Sequence, residues 1–297
     1  MNRPYDATSG SDAGASFSAP PARRAGTTQS DQPPVIGPLP SGRNCAVLRM
    51  RVDEVDYDTV INQVKAWAWA RESRYMCVSN VHMTMEVFDD PDFRAIVNGA
   101  DLVGADGMPV IRVSQWLGLR AQRRVFGPEL MVRVAGAAAE ANIPVGIYGS
   151  TQEVIDAIKV NLTQRFPKLD IAYAVSPPFR PLSDAEMEQV ADDINASGAR
   201  IVFVGLGCPK QERWMNAMRN RVLAPMLGVG WAFDVIAGKS TPASPWVQRA
   251  GLEWTRRLIE NPRRMWWRTL KHNPRFIVLA LLQLCGVQYR PRPTRSA

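Results

Sequence analysis

Two hydrophobic rhythms share this chain. Short, largely apolar runs at Tyr75–Val78, Leu102–Gly104, Pro144–Tyr148, Asp170–Val175, Arg200–Val204 and Pro225–Val229 predict strands, buried at Tyr75–Val78 and Arg200–Val204. Between them the apolar residues recur at helical spacing. Val60, Val64 and Trp67 share one face of a helix over Asp58–Ala70, and Val154, Ile155, Ile158 and Leu162 share one face of another. Val81–Phe88, Phe93–Asn98 and the Ala-rich Gly127–Ala141 also read as helices. Ser150 with Glu153, and Ser183 with Glu186, have capping-box spacing. The second box opens a helix carrying Met187, Val190 and Ile194. Pro209 suits the first turn of a further helix after the Gly205–Pro209 break.

Strand and helix alternate through at least three cycles, which predicts an α/β fold with a parallel sheet and helices on both faces. Ligands of such sheets bind beyond the carboxyl ends of the strands. Gly149, the Gly205–Gln211 segment and the Gly228–Asp234 segment all fall at such ends.

The flanks differ from this body. Residues 1–42 are rich in Ala, Gly, Ser, Pro, Asp and Arg, and they hold too few large apolar groups to offset ordering entropy. They are expected to be a disordered leader, followed by a catalytic domain over 43–245 and an appendage over 246–297. No apolar run that would make a secretory signal follows the first basic residue. The appendage is dense in Arg and Trp, including Arg263, Arg264, Trp266, Trp267 and Arg268, and it leads into the apolar run Phe276–Val287. That run falls short of the roughly 20 residues a spanning helix needs, so the expectation is a helical appendage lying at a membrane surface.

Charge sharpens the division. From Arg249 to Ala297 there are eleven basic and two acidic residues, a net +9, which leaves 25 basic and 26 acidic residues, a net −1, for the rest. A basic patch of this kind seeks phosphate on lipid, nucleic acid or substrate. The four cysteines are scattered, with no metal-ligand spacing and no disulfide framework, which suits a reducing cytosol. With only two histidines, His82 and His272, no metal site is expected, and His272 is placed with the basic tail among headgroups or water.

Some residues have the chemistry of a site. Asp106 follows a short apolar strand and precedes a Gly, as either a general base reaching into a cleft or a turn residue capping a helix from about Pro109. Gly205-Leu-Gly-Cys-Pro-Lys-Gln-Glu212 joins a buried strand to a helix, where free amides can bind phosphate or sugar hydroxyls. Lys210 stands where a dinucleotide fingerprint requires its third Gly. The Arg123-Arg124 pair is either solvated or set to neutralise a diphosphate. Asp90-Pro-Asp92 has the look of a metal-binding carboxylate pair but reads better as helix capping.

Six segments in order then resemble the WecG/TagA/CpsF glycosyltransferase family: Val78-Ser-Asn80; Ala100-Asp-Leu with Ala105-Asp-Gly107; Arg124-Val-Phe-Gly127; Gly205–Glu212; Gly228-Val-Gly with Phe233-Asp234; and Gly251-Leu-Glu-Trp254 with Arg257. The resemblance implies a Rossmann-like transferase with a membrane-associating C-terminal appendage. It implies inverting transfer of a hexose or N-acetylhexosamine from a UDP-sugar to a polyprenyl-diphosphate-linked sugar, in cell-surface polysaccharide synthesis, with no cofactor and no clear metal requirement. Some relatives use glucose in exopolysaccharide assembly.

By position Asp106 looks like the family's general base, and Asn80, Ser79, Arg124, Gln211 and Glu212 like substrate-pocket residues. Gly149, Gly207 and Gly230, with the appendage residues Arg257 and Arg264, look like the nucleotide-diphosphate side. Many members carry Thr where Val78 stands, and Ser79 is the nearest hydroxyl. Where relatives read Arg-Ala-Pro before Trp246, this chain has Pro242-Ala-Ser244. The implied partners are donor, lipid-linked acceptor, an anionic membrane surface on the cytoplasmic side and a further copy of the chain, but not nucleic acid. Two other classes stay open at this point. A nicotinamide- or flavin-linked oxidoreductase would explain the glycine turns but not the tail. A basic nucleic-acid-binding protein would explain the charge but not the Leu/Ile/Val run.

Overall fold

The structure is a computed structural model that describes residues 42–244, 247 and 262–289. A short antiparallel hairpin comes first, β1 (Asn44–Val47) and β2 (Met50–Asp53), turning at Leu48 with φ 58°. Then follow α1 (Tyr57–Ala70), β3 (Tyr75–Ser79), α2 (Val81–Asp89), α3 (Pro91–Asn98), β4 (Leu102–Ala105), α4 (Met108–Trp116) and α5 (Gly127–Glu140). The second half runs β5 (Val145–Gly149), α6 (Gln152–Arg165), β6 (Ile171–Val175), α7 (Asp184–Ala196), β7 (Ile201–Gly205), α8 (Lys210–Ala217), β8 (Met226–Gly228) and α9 (Ala232–Ile236). A last helix, α10, spans Pro262–Leu284.

Six strands form one parallel sheet in the order β4-β3-β8-β7-β5-β6. Successive side chains of a strand point to opposite faces, so each buried strand feeds two cores. Tyr75 and Cys77 of β3 enter one core, Met76 and Val78 the other; Val202 and Val204 of β7 divide from Ile201 and Phe203 in the same way. The first core is closed by α2, α3, α4, α7, α8 and α10, and the second by α1, α5, α6 and α9. This double cover is why the strands read as largely apolar runs.

The caps follow local chemistry. Asp90 is the N-cap of α3 and accepts from the amides of Asp92 and Phe93, which is the capping role expected of Asp90-Pro-Asp92. The Ser183–Glu186 box is present in both directions. The box expected at Ser150 is not the one formed. Ser150 takes a left-handed turn with φ 56°, its amide donates to the Gly205 carbonyl, and its own carbonyl accepts from Ser176 Oγ. Thr151 therefore caps α6 instead.

The C-terminal helix also departs from a purely interfacial segment. Phe276 and Ala280 are buried in the first core, while Ile277, Val278, Leu281 and Leu282 stand exposed on the other side. His272 is buried as well, contrary to the expected place among headgroups or water, because α10 packs on α2 along that edge. Burial of one Phe side chain contributes about 2 kcal/mol. Gln283 ties the helix to the hairpin, donating to the Ala46 carbonyl and accepting from the Leu48 amide. Arg275 forms a bidentate pair with Asp89 at 2.6 Å.

Candidate active site

The carboxyl ends of β3, β4, β5, β7 and β8 open onto one cleft of about 670 Å³. This is where an open parallel sheet offers its loops and helix starts to a ligand. Asn80, Asp106, Ser150, Gly207, Gln211 and Gly230 all contribute to its wall, although they come from segments far apart in the chain.

Asp106 stands one residue beyond β4, its amide bonded to the Ser79 carbonyl at 2.8 Å, so the strand pair fixes its backbone. Its carboxylate is held by Arg124, whose Nε and Nη2 donate to Oδ1 at 3.1 and 3.0 Å. Arg124 Nε also donates to the Asp106 carbonyl at 2.8 Å. The guanidinium lies 4.4 Å over the Phe126 ring, which restricts its rotamer. Two bonds to one carboxylate oxygen and one to the backbone make Arg124 a clamp that orients Asp106. Gly107 caps α4 without a side-chain bond. Asp106 itself is therefore on the cleft wall and is not the cap of that helix.

Asn80 and Ser79 divide as neighbours on a strand must. Asn80 lines the cleft, with Oδ1 accepting from the Met83 amide as the N-cap of α2. Ser79 faces inward: it is fully buried, its hydroxyl donates to the Gly104 carbonyl at 2.8 Å, and it is not on the cleft wall. The hydroxyl proposed from sequence as a substrate contact is thus used to join β3 to β4.

The Gly205–Glu212 segment is built around one amide. Gln211 Oε1 accepts from the Gly207 amide at 3.2 Å, and Nε2 donates to Glu212 Oε1 at 2.8 Å. Glycines make room for it. A Cβ on Gly228 would come 3.0 Å from Gln211 Nε2, and one on Gly230 would come 3.1 Å from Oε1. Gln211 reaches the cleft, whereas Glu212 is fully buried behind it. Burial pushes the Glu212 carboxyl up to about 7, against the opposing pull of the Gln211 hydrogen bond. Glu212 thus supports the loop from within and does not touch the cleft.

Gly207 and Gly230 are on the cleft wall, and Gly149 is not among its lining residues. Gly149 has φ 131°, and a Cβ there would lie 2.6 Å from the Gly205 carbonyl carbon. It lets the ends of β5 and β7 touch and is a packing glycine. Arg257 lies outside the described residues, as do the side chains of Arg263, Arg264, Trp266, Trp267 and Arg268.

The structure adds residues that the sequence reading did not single out. Trp231, Lys239, Ser240 and Thr241 line the cleft after β8. Lys239 is paired with Glu153 at 2.8 Å. The Gly-rich end of β8 was the available signal, but the turn through α9 is what returns residues 239–241 to the site. At one rim His82 lines the cleft, and it meets Glu86 and His272 there.

Comparison with known proteins accounts for this layout. Over 211 residues, 70% of this chain and 78% of the relative, the sequence is 30% identical to the N-acetylglucosaminyldiphosphoundecaprenol N-acetyl-beta-D-mannosaminyltransferase of Bacillus spizizenii. The protein of the same name from Bacillus subtilis is 27% identical over 222 residues, 73% of this chain and 83% of the relative. The family model of the glycosyl transferase WecG/TagA/CpsF family matches residues 45–289, which takes in the whole sheet, the cleft and α10. A cleft of this construction and a match of this length have one reading: the chain belongs to the WecG/TagA/CpsF family of glycosyltransferases.

Proposed function

We propose that this glycosyltransferase moves a hexose or N-acetylhexosamine from a UDP-sugar to a polyprenyl-diphosphate-linked sugar, in cell-surface polysaccharide synthesis. The observation that carries the reading is Asp106: a carboxylate on the cleft wall, oriented by Arg124, in the cleft that the Gly207–Gln211 turn also lines. The names of the two Bacillus relatives support a lipid-diphosphate acceptor.

The chemistry is a single displacement. Asp106 takes the proton of an acceptor hydroxyl while that oxygen attacks the anomeric carbon; the bond to the diphosphate breaks and UDP leaves. The configuration inverts. Arg124 serves the base by fixing its oxygen, so the charge that develops on the leaving group falls to other cations. Lys239 is one on the cleft wall, and Arg257 and Arg264 are the appendage candidates.

The acceptor is a lipid, so the enzyme works at a membrane surface, on its cytoplasmic face. No described helix is long and apolar enough to cross a membrane. The exposed apolar side of α10, Ile277, Val278, Leu281 and Leu282, with the +9 charge of residues 249–297, supports an interfacial seat. The reading extends to a homo-oligomer.

Asp106→Asn tests the central role. Turnover falls by about 10²–10⁴-fold, and the thermal shift given by UDP is retained. Near-normal turnover removes Asp106 as the base. A panel of UDP-sugars with a lipid-diphosphate-sugar acceptor, read by mass, identifies donor and acceptor; no transfer from any UDP-sugar rejects the donor class. For the membrane seat, Leu281→Glu with Ile277→Glu releases the chain from anionic vesicles. Truncation after residue 248 is a poorer test, because it also removes Phe276 and Ala280 from the core.

A further inference from the structure

The chain has two histidines, at positions 82 and 272, and the fold brings them to one place. His82 and Glu86 are four residues apart on α2, so they share one face of that helix. His272 reaches them from α10. Glu86 Oε1 lies 3.8 Å from His82 Nδ1 and 3.6 Å from His272 Nε2. The two imidazole centroids are 5.2 Å apart, and one donor atom from each residue falls within 4.8 Å of the other two. His272 is almost wholly buried and His82 largely so.

We propose that His82, Glu86 and His272 bind a divalent transition-metal ion, zinc foremost, that fastens α10 to α2 at the rim of the cleft. Two imidazoles and a carboxylate, without thiolate, form a donor set of borderline softness; it suits zinc, cobalt or nickel and disfavours magnesium or calcium. Bonds near 2.0–2.1 Å in a tetrahedral site put donor atoms about 3.3 Å apart. The two carboxylate–imidazole distances are within about half an ångström of that, and small side-chain rotations close the third.

The site's frame is already rigid. The donors sit on two helices, and α10 is held beside them by buried Phe276 and by the Arg275–Asp89 pair. Arg275, one turn beyond His272, is neutralised by Asp89 and so presents little repulsion to a dication. Three protein donors leave a fourth position for water. The role is structural: it fixes the basic C-terminal helix against the helix that begins at Asn80 on the cleft wall.

The test uses the full chain, purified without a histidine tag, stripped with a chelator and titrated with zinc and with cobalt. About one zinc per chain is retained after gel filtration, and zinc raises the melting temperature in a concentration-dependent way. Cobalt gives the visible d–d bands of a four-coordinate nitrogen/oxygen site. His272→Gln and Glu86→Gln each weaken zinc binding by tenfold or more. Chelation speeds protease cleavage between residues 245 and 271, and zinc restores protection. Zinc binding undiminished in His272→Gln places any ion elsewhere and overturns the proposal. So does stoichiometry near zero in folded wild-type chain, which leaves only a histidine–carboxylate contact. These readouts need no sugar donor, so they stand apart from the assignment of the reaction.

Discussion

The cleft floor and the C-terminal helix are held in opposite ways. At the floor, Gly149 meets Gly205 backbone to backbone, Gln211 is boxed in by Gly228 and Gly230, and Asp106 hangs from the β3–β4 pair. Little can move there without disrupting the sheet. Among its described residues, α10 is attached through side chains that meet segments distant in sequence: Phe276 and Ala280 in the core, Arg275 on Asp89, Gln283 on the hairpin and His272 on Glu86. The floor is thus held by backbone fit, and α10 by side-chain packing on α2, the hairpin and the first core.

Substitutions can break this contrast, starting with the floor. Gly149→Ala forces a Cβ against the Gly205 backbone at a φ that side chains avoid. It should cost about 3 kcal/mol or more in denaturant melts and reduce turnover with it. Phe276→Ala should cost about 3 kcal/mol if α10 belongs to the cooperative core. A cost near zero, with turnover unchanged, would show α10 to be dispensable to the fold.

The buried carboxyl sharpens the comparison through pH. Glu212 is raised from 4.5 to about 7 in the folded chain, so the fold holds a proton that the unfolded chain has lost. Its contribution to stability is complete below about pH 4.5 and is lost as pH rises through about 7, on the order of 3 kcal/mol across the window. Glu212→Gln keeps a hydrogen-bond partner for Gln211 and should flatten that slope, with its largest relative gain near pH 8. An unchanged slope would mean that Glu212 is not the group that titrates.

The smallest effect is expected outside. Arg275→Ala removes a half-exposed ion pair and should cost less than about 1 kcal/mol. If it costs far more, α10 is anchored by charge rather than by Phe276.

Much of the fold is legible because burial on both faces leaves a plain mark on strands. All six parallel strands lie where largely apolar runs place them, within a residue or two at each end. The hairpin Asn44–Asp53 and the short α9 leave weaker marks, since four- or five-residue elements carry too little periodicity to stand out. The capping box at Ser150 was plausible on spacing, and it was displaced by a contact with Gly205 that sequence spacing does not contain. Among the candidate site residues, the side-chain alternation of β3 separated Ser79 from Asn80, and a shift of one residue would have exchanged their roles.

What the sequence determined by itself was the layering, the family and the identity of the strand-end loops. Apolar periodicity and the order of motifs are properties of neighbouring residues, and both survive in one dimension. Tertiary structure alone decided which side chain beyond each strand faces the cleft, that Arg124 orients Asp106, and that Glu212 lies buried behind Gln211. It also decided that His82 and His272 share one carboxylate. These are contacts between distant segments, set by how helices pack on a twisted sheet. No local pattern records them.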